Sequence, residues 1–325
     1  MKINDTLEYN LGILDNRYIL LEEFGSGCSS TVYKIKDISN NMEYALKLFK
    51  KYGKLYENEI KINKIIKEHN SPFFVKFISS SVGYLKEGET TTNKPYIIFE
   101  LCSKGEILPY MNFQKNALKE KICKFLFSKL LTAVQNLHKL GVCHRDLKLD
   151  NFLFDGPNFN IKLADFGFSS LIIKNKDGKE KLQTGQLGTS FYMAPEILLN
   201  KPYDGVKADI FSLGVILFNL RTCKFGFVKA KANYLTSNKI EKLYNYIKAK
   251  KIEKYWELLE DHVKISELSE EFKNLYIKMV AFNPYERPTI EEIYNDEWMK
   301  EIRDLNEEEI KVYEEELINE LKKRE

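Results

Sequence analysis

Residues 18–24, 31–36 and 43–49 are β-branched or aromatic runs with polar residues among them. Gly/Ser stretches and Ser39-Asn40-Asn41 separate these runs, which is the punctuation of a meander of antiparallel strands. The period then changes. Over residues 56–68 Ile60, Ile62, Ile65 and Ile66 recur at mainly helical spacing among charged residues, and His69-Asn70-Ser71-Pro72 closes the segment. Two further strand-like runs are expected at 73–78 and 95–101, joined by a polar loop holding Gly83 and Gly88. Helical periods dominate from Asn116 onward, predicting helices over 119–140, 207–220, 238–259, 269–281 and 290–300. A short hairpin is expected for 151–154 and 160–163, turning around Asp155-Gly156.

A mostly β region of 18–101, with one helix, therefore precedes a mostly α region of 102–300, the junction falling near 101–105. Residues 1–17 read as an N-terminal extension and 301–325 as an acidic helical tail. The fold class is α+β. At 325 residues and 38.2 kDa, with 44% hydrophobic and 30% charged residues, the chain can bury a substantial core and is neither collagen-like nor disordered in its body. The longest apolar stretch, near Phe211, is far short of a bilayer span and is interrupted by Asn219. The opening residues have no apolar run and no Gly at the second position, so a cytoplasmic or nuclear address is expected, with no membrane partner. Five cysteines form no CxxC pair and read as reduced thiols.

A net charge of +3 argues against a nucleic-acid partner. The charge is uneven, since residues 301–325 hold five basic and ten acidic side chains, leaving 45 basic and 37 acidic in the rest. In that tail Ile310, Tyr313, Leu317 and Leu321 have the spacing of an amphipathic helix. It reads either as a helix packed on the α-rich region or as an acidic segment folding back on the basic body.

The chemistry begins in Gly25-Ser26-Gly27-Cys28-Ser29-Ser30-Thr31-Val32, between two strands. Glycine there lets backbone amides approach phosphate oxygens that a Cβ would hold away. Two strands on, Ala45 and Lys47 share a sheet face, and a buried-looking lysine needs a counter-charge, which Glu59 on the following helix can supply, with Glu57 as the alternative. His144-Arg145-Asp146-Leu147-Lys148-Leu149-Asp150-Asn151 is followed by Asp165-Phe166-Gly167 and later by Ala194-Pro195-Glu196. Asp146 offers a carboxylate to orient a hydroxyl nucleophile and Lys148 a cation for migrating phosphoryl charge. Asn151 and Asp165 offer the oxygen ligands that Mg²⁺ prefers. Three such motifs in this order make a phosphoryl-transfer kit.

On these motifs the sequence resembles a eukaryotic protein kinase from about residue 18 to 300. It resembles the serine/threonine type, and within that the calcium/calmodulin-dependent-kinase-like branch. The resemblance implies a bilobal fold, a small antiparallel β-sheet lobe with one helix followed by a larger α-helical lobe. It implies ATP and Mg²⁺ as cofactors, and protein substrates with Ser/Thr acceptors. Gly25, Ser26, Gly27 and Val32 would lie over the nucleotide, Ala45 and Leu153 against the adenine faces, and Lys47 on the α- and β-phosphates. Phe99 falls at the gatekeeper position, the backbone of Glu100 and Cys102 would bond the adenine edge, and Glu106 would face the ribose or a basic substrate side chain. Asn151 and Asp165 would hold metal. Asp209 matches the aspartate that anchors the catalytic-loop backbone, and Arg287 the partner of Glu196.

Lys148, with Gly188-Thr189 before Tyr192, looks like the serine/threonine branch, and Thr189 would hydrogen-bond Asp146 and Lys148. Arg145 is expected to carry an unsatisfied charge that a phosphate on Thr184 would meet, placed by an upstream kinase or by autophosphorylation. Ser30 stands where the family's third glycine would be. Asn63 stands four residues after Glu59, where the family places an apolar residue, and a buried amide there would favour an inactive helix. Glu106 and Asp150 predict a basic residue three before the acceptor, while Asn219 makes a second nearby arginine unexpected. A monomer is expected. The rival reading is a pseudokinase-type scaffold regulated by nucleotide or partner binding, though no base, lysine or metal ligand is lost.

Overall fold

The computed structural model describes residues 11–111, 117–173, 181–227, 229–230, 243–263 and 268–325. The chain forms two compact units. One comprises residues up to Ser103 together with Ala164–Gly167, the other Lys104–Leu163 and Phe168–Glu325.

In the first unit β1 (Gly12–Leu14), β2 (Tyr18–Ser26), β3 (Ser30–Asp37), β4 (Glu43–Phe49), β5 (Phe77–Glu87) and β6 (Thr90–Glu100) close into a barrel of order β1-β2-β3-β4-β6-β5. The expected meander is antiparallel as read, but it has no open edge, because Ile13 and Leu14 pair with Lys86 and Leu85 while also pairing with β2. Closure satisfies backbone groups that an edge strand would leave unpaired. Residues 12–14 are thus a strand of the barrel and not an extension. Asp15 and Asn16 turn the chain in left-handed conformation, and Asp15 accepts a hydrogen bond from Tyr96 Oη at 2.8 Å.

The stretch expected to be a polar loop is instead the long β5–β6 hairpin, turning at Gly88 with φ +58°. Its polar residues sit on the outward face, and ladder hydrogen bonds do not need apolar side chains. Leu14, Leu20, Ile35, Leu46 and Ile98 fill the barrel. Leu14 is fully buried, so Leu14→Ala should cost about 2–4 kcal/mol in urea unfolding. A change below about 0.5 kcal/mol, the size expected of an exposed extension, would remove β1 from the core. Helix α1 (Lys54–Glu68) packs Tyr56, Ile62 and Ile66 inward, and Tyr56 Oη donates to the Ser81 carbonyl at 3.0 Å.

The second unit holds β7 (Gly105–Glu106), β8 (Val142–Cys143), β9 (Phe152–Asp155), β10 (Asn160–Leu163) and β11 (Ser170–Leu171) as small pairings. Its helices are α2 (Glu120–Lys139), α3 (Pro195–Leu198), α4 (Gly205–Thr222), α5 (Leu243–Lys248), α6 (Ile252–Val263), α7 (Glu270–Met279), α8 (Ile290–Tyr294), α9 (Lys300–Arg303) and α10 (Glu307–Lys322). Helix α4 is buried nearly all round, as its apolar sequence requires. A Cβ on Gly214 would stand 2.9 Å from Met279 Cβ, so glycine there lets α4 and α7 approach.

Two expected helices are broken. That over 238–259 begins outside the described residues and is interrupted between α5 and α6, where Lys250 adopts φ +56°. That over 290–300 ends after Tyr294, and Asp296 caps a 3₁₀ turn, Glu297–Met299, that buries Trp298. Of the two readings of the tail, the packed helix is found. Helix α10 opens on a capping box between Asn306 and Glu309 and buries Leu317 and Leu321. It lies along α2, with Lys121 to Glu316 at 2.5 Å and Lys129 to Glu314 at 2.9 Å, and Tyr313 against Phe125.

Candidate active site

In the first unit the glycine segment forms the tip of the β2–β3 hairpin. Gly27 N–H donates to the Ser30 carbonyl at 2.8 Å, and the Ser26 and Thr31 hydroxyls stand 2.9 Å apart. A Cβ built on Gly25 would meet nothing within 4 Å, so the space above its backbone is open. Val32 faces Lys47 across β3 and β4, and Ala45 pairs with Phe99 across β4 and β6. Phe99 is half-buried against Phe77, with ring centroids 6.3 Å apart. At the end of β6, Glu100 accepts the Lys76 N–H at 2.8 Å through its side chain, and Cys102 is buried.

Lys47 is central to β4 and 7% exposed. Its Nζ donates to Glu59 Oε1 at 2.9 Å and Oε2 at 2.7 Å, and to Asp165 Oδ1 at 2.8 Å. Glu59, not the exposed Glu57, is therefore its helical partner. The pairing with Asp165 was not anticipated, because the sequence pattern marks Asp165 only as an oxygen ligand. Burial pushes the Glu59 carboxyl up to about 7 against the pull of Lys47. Lys47, desolvated yet facing two carboxylates, is held above the ordinary lysine range, so the ammonium form is secure. Asp165 stands at φ +59°, and its carboxylate also accepts the Gly167 N–H at 3.2 Å. A Cβ on Gly167 would lie 3.0 Å from Glu59 Oε2. Asn58 adds a bond to the Gly167 carbonyl at 3.2 Å, and Phe166 is buried against Phe74.

Asn63 is fully buried. Its amide nitrogen bonds the Glu59 carbonyl at 2.9 Å within the helix, and its Oδ1 has no hydrogen-bond partner among the described residues.

In the second unit a loop between β8 and β9 carries the other residues. Asp209 on α4 is fully buried and accepts the His144 and Arg145 N–H groups at 2.8 Å each, and bonds His138 Nε2 at 2.8 Å. These bonds hold Arg145 at φ +67°, a conformation costly for a non-glycine residue. His138, in the last turn of α2, went unnoticed in the sequence because nothing in its spacing separates it from an ordinary helix-terminal base.

The Asp146 carboxylate is 7% exposed and accepts the Thr189 backbone N–H at 2.7 Å. Gly188, at φ +108°, makes that approach possible, since a Cβ would stand 2.7 Å from the Arg145 carbonyl and 3.1 Å from Asp146 Oδ1. Desolvation raises the Asp146 pKa, while Lys148 and the Thr189 bonds pull it down. Asn151 donates Nδ2 to the Asp146 carbonyl at 2.8 Å. That use of nitrogen turns the amide so that oxygen is what it has left to offer a hard cation, so the donor chemistry of Asn151 and of the Asp165 carboxylate suits Mg²⁺.

Arg145 is hydrogen-bonded, though not to a charged group in these contacts. Its Nε donates to the Phe168 carbonyl at 2.7 Å, and Nη1 lies 3.3 Å from Gln183 Oε1 and 3.4 Å from Tyr203 Oη. All three are neutral acceptors, and the neighbouring Thr184 is exposed. Glu106, on β7 beside Leu153 of β9, has its carboxyl pushed up by desolvation and by the charge of Asp150. Arg287 and Glu196 form a buried bidentate pair, both bonds 2.7 Å. No helix among the described residues is long and apolar enough to cross a membrane.

The family model described as protein kinase domain matches residues 18–299. The chain is 35% identical over 248 residues to the serine/threonine-protein kinase kin-29 of Caenorhabditis elegans, covering 76% of this chain and 26% of that protein. It is 31% identical over 287 residues to the serine/threonine-protein kinase SRK2E of Arabidopsis thaliana, covering 87% of this chain and 71% of that one. Identity to CBL-interacting protein kinase 10 of Oryza sativa subsp. japonica is 32% over 295 residues, 90% of this chain and 59% of the rice protein. The chain thus spans about a quarter of the worm relative and under two thirds of the rice one.

Proposed function

The chain belongs to the protein kinase family, on its serine/threonine side, and we propose that it transfers the γ-phosphate of MgATP to Ser and Thr hydroxyls of protein substrates. The observation that carries this reading is the Asp146 carboxylate, buried, ionisable and aimed by the Thr189 N–H. Asp146 orients the acceptor hydroxyl and takes its proton, while the Lys47 and Lys148 cations offset phosphate charge. Glu59 holds Lys47 for that task. Gly25, Ser26 and Gly27 would admit the phosphates to backbone amides, and Val32, Ala45, Phe99, the Glu100 and Cys102 backbone, and Leu153 would receive the adenine. Asn151 and Asp165 would hold Mg²⁺, which when bound neutralises phosphate charge.

The raised Asp146 pKa has a kinetic consequence. A base works only when ionised, so kcat/KM should fall on the acid side through a pKa above the ordinary aspartate value of about 4. Because Lys148 pulls that pKa down, Lys148→Met should move the acid limb to higher pH whatever activity remains. A pH–rate profile whose limb stays put in the variant would detach Lys148 from the base.

Glu106, whose ionisation is made costlier by desolvation and then by the charge of Asp150, supports a basic substrate residue three before the acceptor. The test is ³²P transfer from MgATP to a panel of Ser/Thr peptides with and without that arginine. Transfer favouring arginine is expected, and an acidic or proline-directed preference would refute the subsite. Binding of ATP with no transfer to any peptide or protein acceptor would sink the phosphotransfer reading. In the same assay Thr184→Ala should lower activity about tenfold or more if a phosphate on Thr184 replaces the neutral partners of Arg145. Unchanged activity would remove Thr184 from the scheme.

A further inference from the structure

The end of α10 reaches the segment that carries Glu106. Arg324 is 6% exposed, a degree of burial that arginine tolerates only when paired. Its Nε and Nη2 donate to Glu320 Oε1 at 3.0 and 2.8 Å, and its Nη1 donates to the Tyr110 carbonyl at 3.3 Å, 214 residues away in sequence. The guanidinium also hydrogen-bonds the thiol of Cys223, the residue that ends α4. An ordinary helix-end ion pair four residues apart has no such distant partners.

Tyr110 passes the restraint on. Its Oη donates to the Lys104 carbonyl at 3.0 Å and its N–H to the Ile107 carbonyl at 3.0 Å, so it brackets Gly105-Glu106 from both sides. Its ring is edge-on to Phe154 at 5.2 Å and to Phe159 at 5.9 Å. Gly105 and Glu106 pair in turn with Phe154 and Leu153 of β9. A strand of two residues does not hold its own direction, which is set by what braces it. Lys104 Nζ adds a bond to Glu325 at 2.6 Å, but side chains 29% and 38% exposed make that pair worth little. Arg324 is therefore the anchor.

Resting on the kinase reading above and on its basic subsite, we propose that Arg324 is a positioning residue for Glu106. The end of the acidic tail fixes Tyr110, Tyr110 fixes the backbone on either side of Gly105-Glu106, and the tail thereby sets how well a basic substrate side chain is recognised.

The test uses the full chain and two fluorescent Ser peptides, one with arginine three before the acceptor and one with alanine there. Binding is read by anisotropy and transfer by ³²P incorporation at saturating MgATP. The wild type should favour the arginine peptide. Arg324→Ala should cut that preference about fivefold, the scale of one weakened charge-assisted hydrogen bond, with the loss in Kd and KM and not in kcat. Arg324→Lys should restore part of it, and in a Glu106→Gln background Arg324→Ala should change it no further. Equal loss for both peptides would show a merely structural residue, and an unchanged preference would show that Glu106 is held without the tail; either overturns the proposal. Should Arg324→Ala fail to fold, Tyr110→Phe, which removes only the bond to the Lys104 carbonyl, carries the same expectation and the same refutation. Arginine-selective binding without transfer would sink the phosphotransfer reading, while the same Kd ratios support or overturn this proposal. Transfer with no arginine preference in the wild type would overturn the subsite and this proposal while phosphotransfer stands.

Discussion

Asp146→Asn should lower kcat for peptide phosphorylation by about 10³-fold, within the range that a positioned general base contributes. ATP affinity should stay within about threefold of wild type, because the variant keeps Lys47 and the glycine hairpin intact. Stability should hold or rise. The Asp146 carboxylate is 7% exposed and its pKa is raised by desolvation, so its ionised form is disfavoured by the fold. The asparagine oxygen can still accept the Thr189 N–H without that cost. Single-turnover transfer and nucleotide titration on one preparation separate these effects. A variant within tenfold of wild-type kcat would show that Asp146 does not handle the proton. Equal loss of kcat and of thermal stability would show a structural lesion instead.

The largest stability effect is expected at Arg287. The residue is 2% exposed and donates to both Glu196 oxygens at 2.7 Å, to the Ala281 carbonyl at 3.0 Å and to the Lys207 carbonyl at 3.0 Å. Its guanidinium also lies 5.0 Å from the centre of the Phe211 ring. Arg287→Ala leaves a carboxylate that is 9% exposed with its countercharge gone and two carbonyls without their donor. Breaking a buried pair in this way costs about 3–5 kcal/mol, a large part of the roughly 5–15 kcal/mol that holds a domain folded. The urea midpoint should fall sharply with little change in slope. Arg287→Ala combined with Glu196→Leu should recover part of the loss, since no uncompensated charge then remains. A loss below about 1 kcal/mol would mean that solvent reaches Glu196 once the arginine is gone.

Much of this was legible along the chain because its signals are local. Strands β2, β3 and β4 follow from β-branched and aromatic runs bounded by Gly, Ser and Asn, and α2, α4 and α7 from helical spacing, each within a few residues of the observed ends. Helix breaks at Lys250 and Asn295 were missed because single left-handed or capping residues do not disturb an apolar period. Of the β5–β6 hairpin only the polar middle reads as a loop in sequence, because its polar side chains face outward and its pairing is made by the backbone.

The residue types at the site were equally legible. An aspartate, lysine and asparagine spaced as in 146–151, an Asp-Phe-Gly turn and a strand lysine are written in the sequence itself. The contacts they make were not. That Asp165 leans on Lys47, that Thr189 reaches Asp146 through its backbone N–H, and that Arg145 rests on neutral acceptors depend on groups many residues apart.

By itself, then, the sequence determined the chemistry available to this protein and the order of its elements, because side-chain type and local periodicity are properties of short stretches of chain. Tertiary structure alone decided that residues 12–14 close a barrel, that the acidic tail lies on α2, and that Asp209 gathers His138 and the backbone of His144 and Arg145. Each of those depends on which distant backbone or ring fills a neighbouring space, and burial and pairing over such separations leave no local period to read.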